Sequence, residues 1–86
     1  MTDDVLTNRI FLMMAQLSVV PARDIRLDHR LREDLGLDSV CSMELLSMMA
    51  EELDLDVPME EAAKITTVGA TLEMARRHLA LKQALS

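Results

Sequence analysis

The chain has no tryptophan and no tyrosine, and Phe11 is its only aromatic residue. Its interior must therefore be filled by leucine and by the eight methionines, which make a soft, adaptable core. Cys41 is the single cysteine, so an intramolecular disulfide is excluded and a reducing compartment is the default. There are only two glycines and two prolines, few residues to punctuate turns. Cationic excess is missing as well. At a formal net charge of −6 there is no basic stripe to neutralise phosphates, which argues against a nucleic-acid partner and for partners with basic surfaces. No apolar run approaches the ~18 residues that span a bilayer. The start of the chain carries Asp3 and Asp4 instead of a basic region leading into an apolar run, so no signal peptide is read there. A cytoplasmic monomer is expected. At 86 residues a single domain is expected over 1–86, with its core at about 5–80 and little room for an enzyme pocket.

What is present is helical periodicity. Leu6, Ile10, Met13 and Leu17 are spaced four, three and four apart, one face of a helix from Asp4 to about Leu17. Thr2 or Asp3 is placed to cap it, and Val19-Val20-Pro21 ends it. Residues 21–37 have no sustained period. They read as a long ordered loop, with one short turn at Leu31–Leu35, pinned to the core by Ile25, Leu27, Leu31, Leu35 and Leu37. A loop of that length in so small a domain is usually functional. A second helix is predicted over Ser39–Leu53, with Leu45, Met49 and Leu53 facing inward and Leu46 beside them. Asp54 to Pro58 breaks the pattern, and Met59–Lys64 forms a short helical piece with Glu60 and Glu61 in its first turn. Thr66 or Thr67 caps a last helix whose stripe is Val68, Leu72, Ala75 and Leu79. No strand alternation appears. The fold class is all-α: a small bundle of three main helices plus one short helix, with a long loop between the first two.

Few residues offer chemistry. Ser39 follows Asp38 at the start of the second helix, and either can cap it. A phosphate esterified to Ser39 would also be favoured there, by the free N–H groups and positive dipole end of a helix N-terminus. Gly36 lets the loop turn just before it and leaves the serine open to a large enzyme. A nucleophilic role for Ser39 needs a base and an oxyanion site. His29 and His78, the only histidines, lack a catalytic context and read as surface or loop residues, and no Gly-x-Ser-x-Gly elbow is present. Asp54, Asp56, Glu60 and Glu61 do not fit a calcium loop and read as a solvated acidic turn, so no metal site is assigned. Cys41 sits where a helix start could activate its thiol. Exposed there, it would form intermolecular disulfides in air; otherwise it is simply a small side chain.

The stretch LREDLGLDSV, residues 31–40, resembles the modification site of the acyl carrier proteins, where Asp-Ser-Leu follows a Glu-Asp-Leu-Gly segment. Met43-Glu44-Leu45-Leu46 resembles the family's Val-Glu-Leu-Val, and Val57-Pro58 its Ile-Pro segment. Lys64-Ile65-Thr66-Thr67-Val68 is similar to the family sequence before the last helix. The resemblance covers about residues 5–80. It implies that Ser39, flanked by Asp38, carries 4′-phosphopantetheine transferred from coenzyme A by a phosphopantetheinyl transferase. The arm's thiol would hold acyl groups as thioesters, and the domain would present them to acyl-loading, condensing or tailoring enzymes with basic docking surfaces while catalysing nothing itself. Val40, Met43, Glu44, Ser47 and Glu51, three or four apart on one side of the second helix, would form the docking face. Val40 replaces the usual leucine, and Cys41 and Ala50 stand where fatty-acid carriers often have acids. Polyketide and other secondary-metabolite pathways therefore stand beside fatty acid synthesis. A peptidyl or aminoacyl carrier, and an unmodified helical adaptor with the same fold, are the alternatives.

Overall fold

The computed structural model describes residues 2–85. Helix α1 spans Asp3–Leu17 and starts at Thr2, whose hydroxyl accepts the Val5 N–H at 3.3 Å. It buries Leu6, Ile10 and Met13 as the spacing predicts. Its last core residue, however, is Met14, while Leu17 is only half-buried. The helix stops at Ser18, ahead of Pro21. The Ser18 hydroxyl accepts the Val20 N–H (3.0 Å) and donates to the Leu35 carbonyl (2.8 Å), tying the helix end to the loop.

The loop is ordered, with a single 3₁₀ turn at Ala22–Asp24. Ile25, Leu31, Leu35 and Leu37 are buried as expected, but Leu27 is 58% exposed. The backbone explains this exception. The Leu27 carbonyl accepts the Gly69 N–H (2.9 Å), and His29 accepts from Val68 (3.0 Å), so this stretch lies by its main chain across the start of the last helix. A Cβ on Gly69 would come within 3.2 Å of the Leu27 carbonyl, and glycine allows that close approach. The isolated pairing of Arg30 with Thr67 is the one β-type feature among the described residues. The turn at residues 31–35 closes on Gly36, whose φ of +72° lies in the left-handed region that favours glycine.

Helix α2 spans Ser39–Leu53, with Leu45, Met49 and Leu53 buried. Asp54, at φ +55°, ends it, and the Leu55 N–H returns to the Met49 carbonyl (3.2 Å). Helix α3 covers only Met59–Ala62, shorter than the sequence suggests. Residues 63–66 turn instead, and Thr66 then accepts the Leu31 N–H (2.9 Å). Helix α4 spans Val68–Leu85 and buries Val68, Leu72, Ala75 and Leu79, with Thr71 and Met74 added. Thr67 caps it through the Ala70 N–H (3.1 Å), and the buried Thr71 hydroxyl is satisfied by the Thr67 carbonyl (2.9 Å). Helix α1 packs against both α2 and α4, and the buried side chains form one continuous cluster. The bundle is all-α, with three main helices, one short helix and the long loop between α1 and α2.

Candidate functional site

The loop delivers the chain to α2 through Gly36, Leu37 and Asp38. Leu37 is buried and its N–H bonds the Leu31 carbonyl (2.8 Å), which fixes the approach. The turn itself is braced by Asp34, whose carboxylate accepts the Arg30 N–H (2.6 Å) and lies 3.4 Å from its Nε. That N–H, and then the Arg30 side chain, hold the Asp34 carboxyl below the usual range.

Asp38 caps α2. Its Oδ1 accepts the Cys41 N–H (2.9 Å) and its carbonyl accepts the Ser42 N–H (2.9 Å). The Cys41 N–H is the main reason that the Asp38 carboxyl is held low. The Cys41 side chain, the Val40 N–H and the charge of Arg32 add to it, against desolvation. Ser39 is therefore not the cap but the first residue of the helix, and is exposed. Of the N–H groups at this helix start, that of Cys41 is already taken by Asp38. What faces the Ser39 hydroxyl is Arg32, whose Nη2 lies 3.4 Å from Oγ. Sequence reasoning missed this arginine, because a partner seven residues back across a turn leaves no periodic signal.

Of the two readings of Cys41, the small side chain is favoured over the activated thiol. The thiol is half-buried and its pKa is pushed up, first by its hydrogen bond to Asp38. Neither histidine approaches a catalytic arrangement. His29 Nδ1 accepts the Arg26 N–H (3.0 Å) within the loop. His78 is half-buried: its side chain is 20% exposed and pairs with Glu61 at 2.9 Å. Glu61 also takes Arg77 (3.2 Å), and Asp54 takes Lys82 (2.7 Å). The acidic turn is thus partly neutralised by α4 instead of being merely solvated. His78, ahead of Arg77, lowers the Glu61 pKa, and Lys82 lowers that of Asp54. Among the described residues no group of three or more His, Cys, Asp or Glu is placed to hold a metal. None of their helices is long and apolar enough to cross a membrane.

Val40, Met43, Glu44, Ser47 and Glu51 are all exposed, on the side of α2 away from Leu45, Met49 and Leu53. Val40 is 63% and Met43 54% exposed. Glu44 and Glu51 make no ion pair among the described residues, whereas Glu52 is paired with Arg9 (3.4 Å). A cleft of about 460 Å³ runs between α2, the loop and α3. Leu37, Met43 and Leu46 line one part of it, and Met59, Ala62 and Ile65 another. Ser39 is among its lining residues. Two other depressions, one beside the C-terminal half of α4 and one between α1 and the 3₁₀ turn, do not include Ser39.

An exposed hydroxyl, a guanidinium within reach of it and an adjoining apolar cleft can accept a phosphate ester and shelter an apolar chain. Compared with known protein families, residues 9–75 match the family described as the phosphopantetheine attachment site.

Proposed function

The chain belongs to the phosphopantetheine attachment site family, and on that premise we propose that it is an acyl carrier domain whose prosthetic arm is esterified to Ser39. Carrier domains of this family are non-catalytic and are modified on a serine, with 4′-phosphopantetheine, by a phosphopantetheinyl transferase. The group supplies a flexible arm ending in a thiol, to which acyl groups attach as thioesters. The observation that carries the choice of serine is the position of Ser39: exposed, first in α2, with its hydroxyl facing Arg32 and its side chain on the rim of the apolar cleft. Ser18 is committed to the Val20 N–H and the Leu35 carbonyl, and Ser42 is half-buried.

The proposal treats residues 1–86 as one carrier domain. Gly36-Leu37-Asp38-Ser39 fits the acyl type better than the Gly-Gly-led motif of peptidyl carriers, and the Met- and Leu-lined cleft suits an aliphatic chain. Asp38 sets the start of α2 and so the direction in which Ser39 is offered. Val40, Met43, Glu44, Ser47 and Glu51 form the docking face. Its two apolar residues provide contact area and its unpaired carboxylates steer enzymes with basic surfaces. Fatty acid, polyketide and related secondary-metabolite synthesis all use such a device.

The test is intact mass after incubation with coenzyme A, magnesium and a broad transferase. Gain of one phosphopantetheine by the wild type, and none by Ser39→Ala, is expected. An unmodified wild type favours the adaptor reading. Separate incubations of the holo form with acyl-loading and aminoacyl-loading enzymes distinguish an acyl from an aminoacyl carrier.

A further inference from the structure

Among the described residues Arg32 has no carboxylate in direct contact, although its charge acts on that of Asp38. Its neighbour Arg30 is committed to Glu33 (3.7 Å) and Asp34 (3.4 Å), whereas Arg32 makes no ion pair among the described residues. The hydrogen-bond contact of its side chain is the Ser39 hydroxyl, at 3.4 Å from Nη2. Both side chains line the cleft between α2 and α3. We infer that Arg32 binds the phosphate of the prosthetic group, as the cation that anchors the base of the arm at the cleft; this rests on the attachment to Ser39 proposed above.

The chemistry of the site calls for such a residue. Esterification of Ser39 places a phosphodiester, with one negative charge, next to the Asp38 carboxylate. One donor of the helix start is not available to it, because the Cys41 N–H is bonded to Asp38 Oδ1 at 2.9 Å. The non-bridging phosphate oxygens lie two bonds beyond Oγ, within the sweep of a guanidinium already 3.4 Å from that atom. A guanidinium can give two parallel N–H bonds to a phosphate, which fixes orientation as well as charge. Anchored there, the arm leaves Ser39 beside the apolar lining of Met43, Leu46 and Met59. Arg32 thereby becomes a positioning residue for the arm.

The experiment compares apo and holo forms of wild type, Arg32→Gln and Arg32→Lys. Arg26→Gln serves as a control of equal charge change on an exposed arginine of the same loop. Two quantities are read on fully modified protein: the ³¹P resonance of the phosphodiester, and the change in melting temperature from apo to holo. Arg32→Gln is expected to displace the resonance and to make the apo-to-holo change less favourable by about 2–4 °C, the scale of one exposed ion pair in a domain of this size. Arg32→Lys, which keeps the charge but loses the fork, recovers part of both, and Arg26→Gln matches wild type. The displacement should shrink towards ~1 M salt, where the screening length falls to about 3 Å. Equal resonances and equal melting changes in wild type and Arg32→Gln, with the full mass gain in both, overturn the role of Arg32 and leave the carrier reading standing. Failure of the wild type to gain mass overturns the carrier reading and this inference with it.

Discussion

Two adjacent residues divide the work at the start of α2. Asp38 holds the helix, and Ser39, the proposed attachment point, is left outside the cap. Ser39→Ala should therefore change stability by less than about 0.5 kcal/mol, as for an exposed residue outside the packing. Asp38→Ala should lower the urea midpoint clearly, because the Cys41 N–H loses its acceptor. Equal midpoints for the two variants would contradict the assignment of the cap. The Asp38 carboxyl is held below its ordinary value in the folded protein, chiefly by that N–H. A depressed folded pKa contributes stability that is present above the unfolded value, near 4, and lost as pH falls through the folded one. The stability advantage of wild type over Asp38→Ala should accordingly be full at neutral pH and shrink below about pH 4, as read by urea unfolding at successive pH values.

At the scale of elements, α2 was legible because a strong cap stands directly before a four-residue apolar spacing. Both ends of Ser39–Leu53 follow from sequence. The loop was only partly legible. A leucine in an aperiodic stretch looks like an anchor, yet Leu27 is held by its carbonyl and points outward. Helix α3 was overextended because the need of Thr66 to meet Leu31 across the bundle is invisible locally. The same holds for the Glu61–His78 pair, which joins two helices 17 residues apart in sequence. The proposed docking face is an element-scale property, since no single residue of it is distinctive. Its acidic part predicts that Glu44→Lys slows loading by a basic transferase, and that the wild-type rate falls as salt rises. Stopped-time mass spectrometry reads both. Unchanged kinetics in a folded Glu44→Lys variant would count against this face for that partner.

For the whole molecule, the composition and the site converge. A domain nearly without aromatics fills itself with Leu and Met, and the same residue types line the cleft that contains Ser39. Unbranched methionines adjust to a guest at low cost. Each methylene removed from water contributes ~0.8 kcal/mol, less the cost of ordering the chain, so a medium-length acyl chain should stabilise the fold by about 1–3 kcal/mol. That is a rise of about 4–8 °C in melting temperature per kcal/mol. It should be seen when the hexanoyl and octanoyl thioesters are compared with the holo form, and equal midpoints without a chain-dependent shift of core methyl resonances would rule out sequestration of these chains. All of this depends on one covalent bond. The most direct measurement is the intact mass of wild type and Ser39→Ala after exposure to coenzyme A, magnesium and a broad transferase. A gain of one phosphopantetheine by wild type alone is the predicted result, and either an unmodified wild type or a modified Ser39→Ala would contradict it.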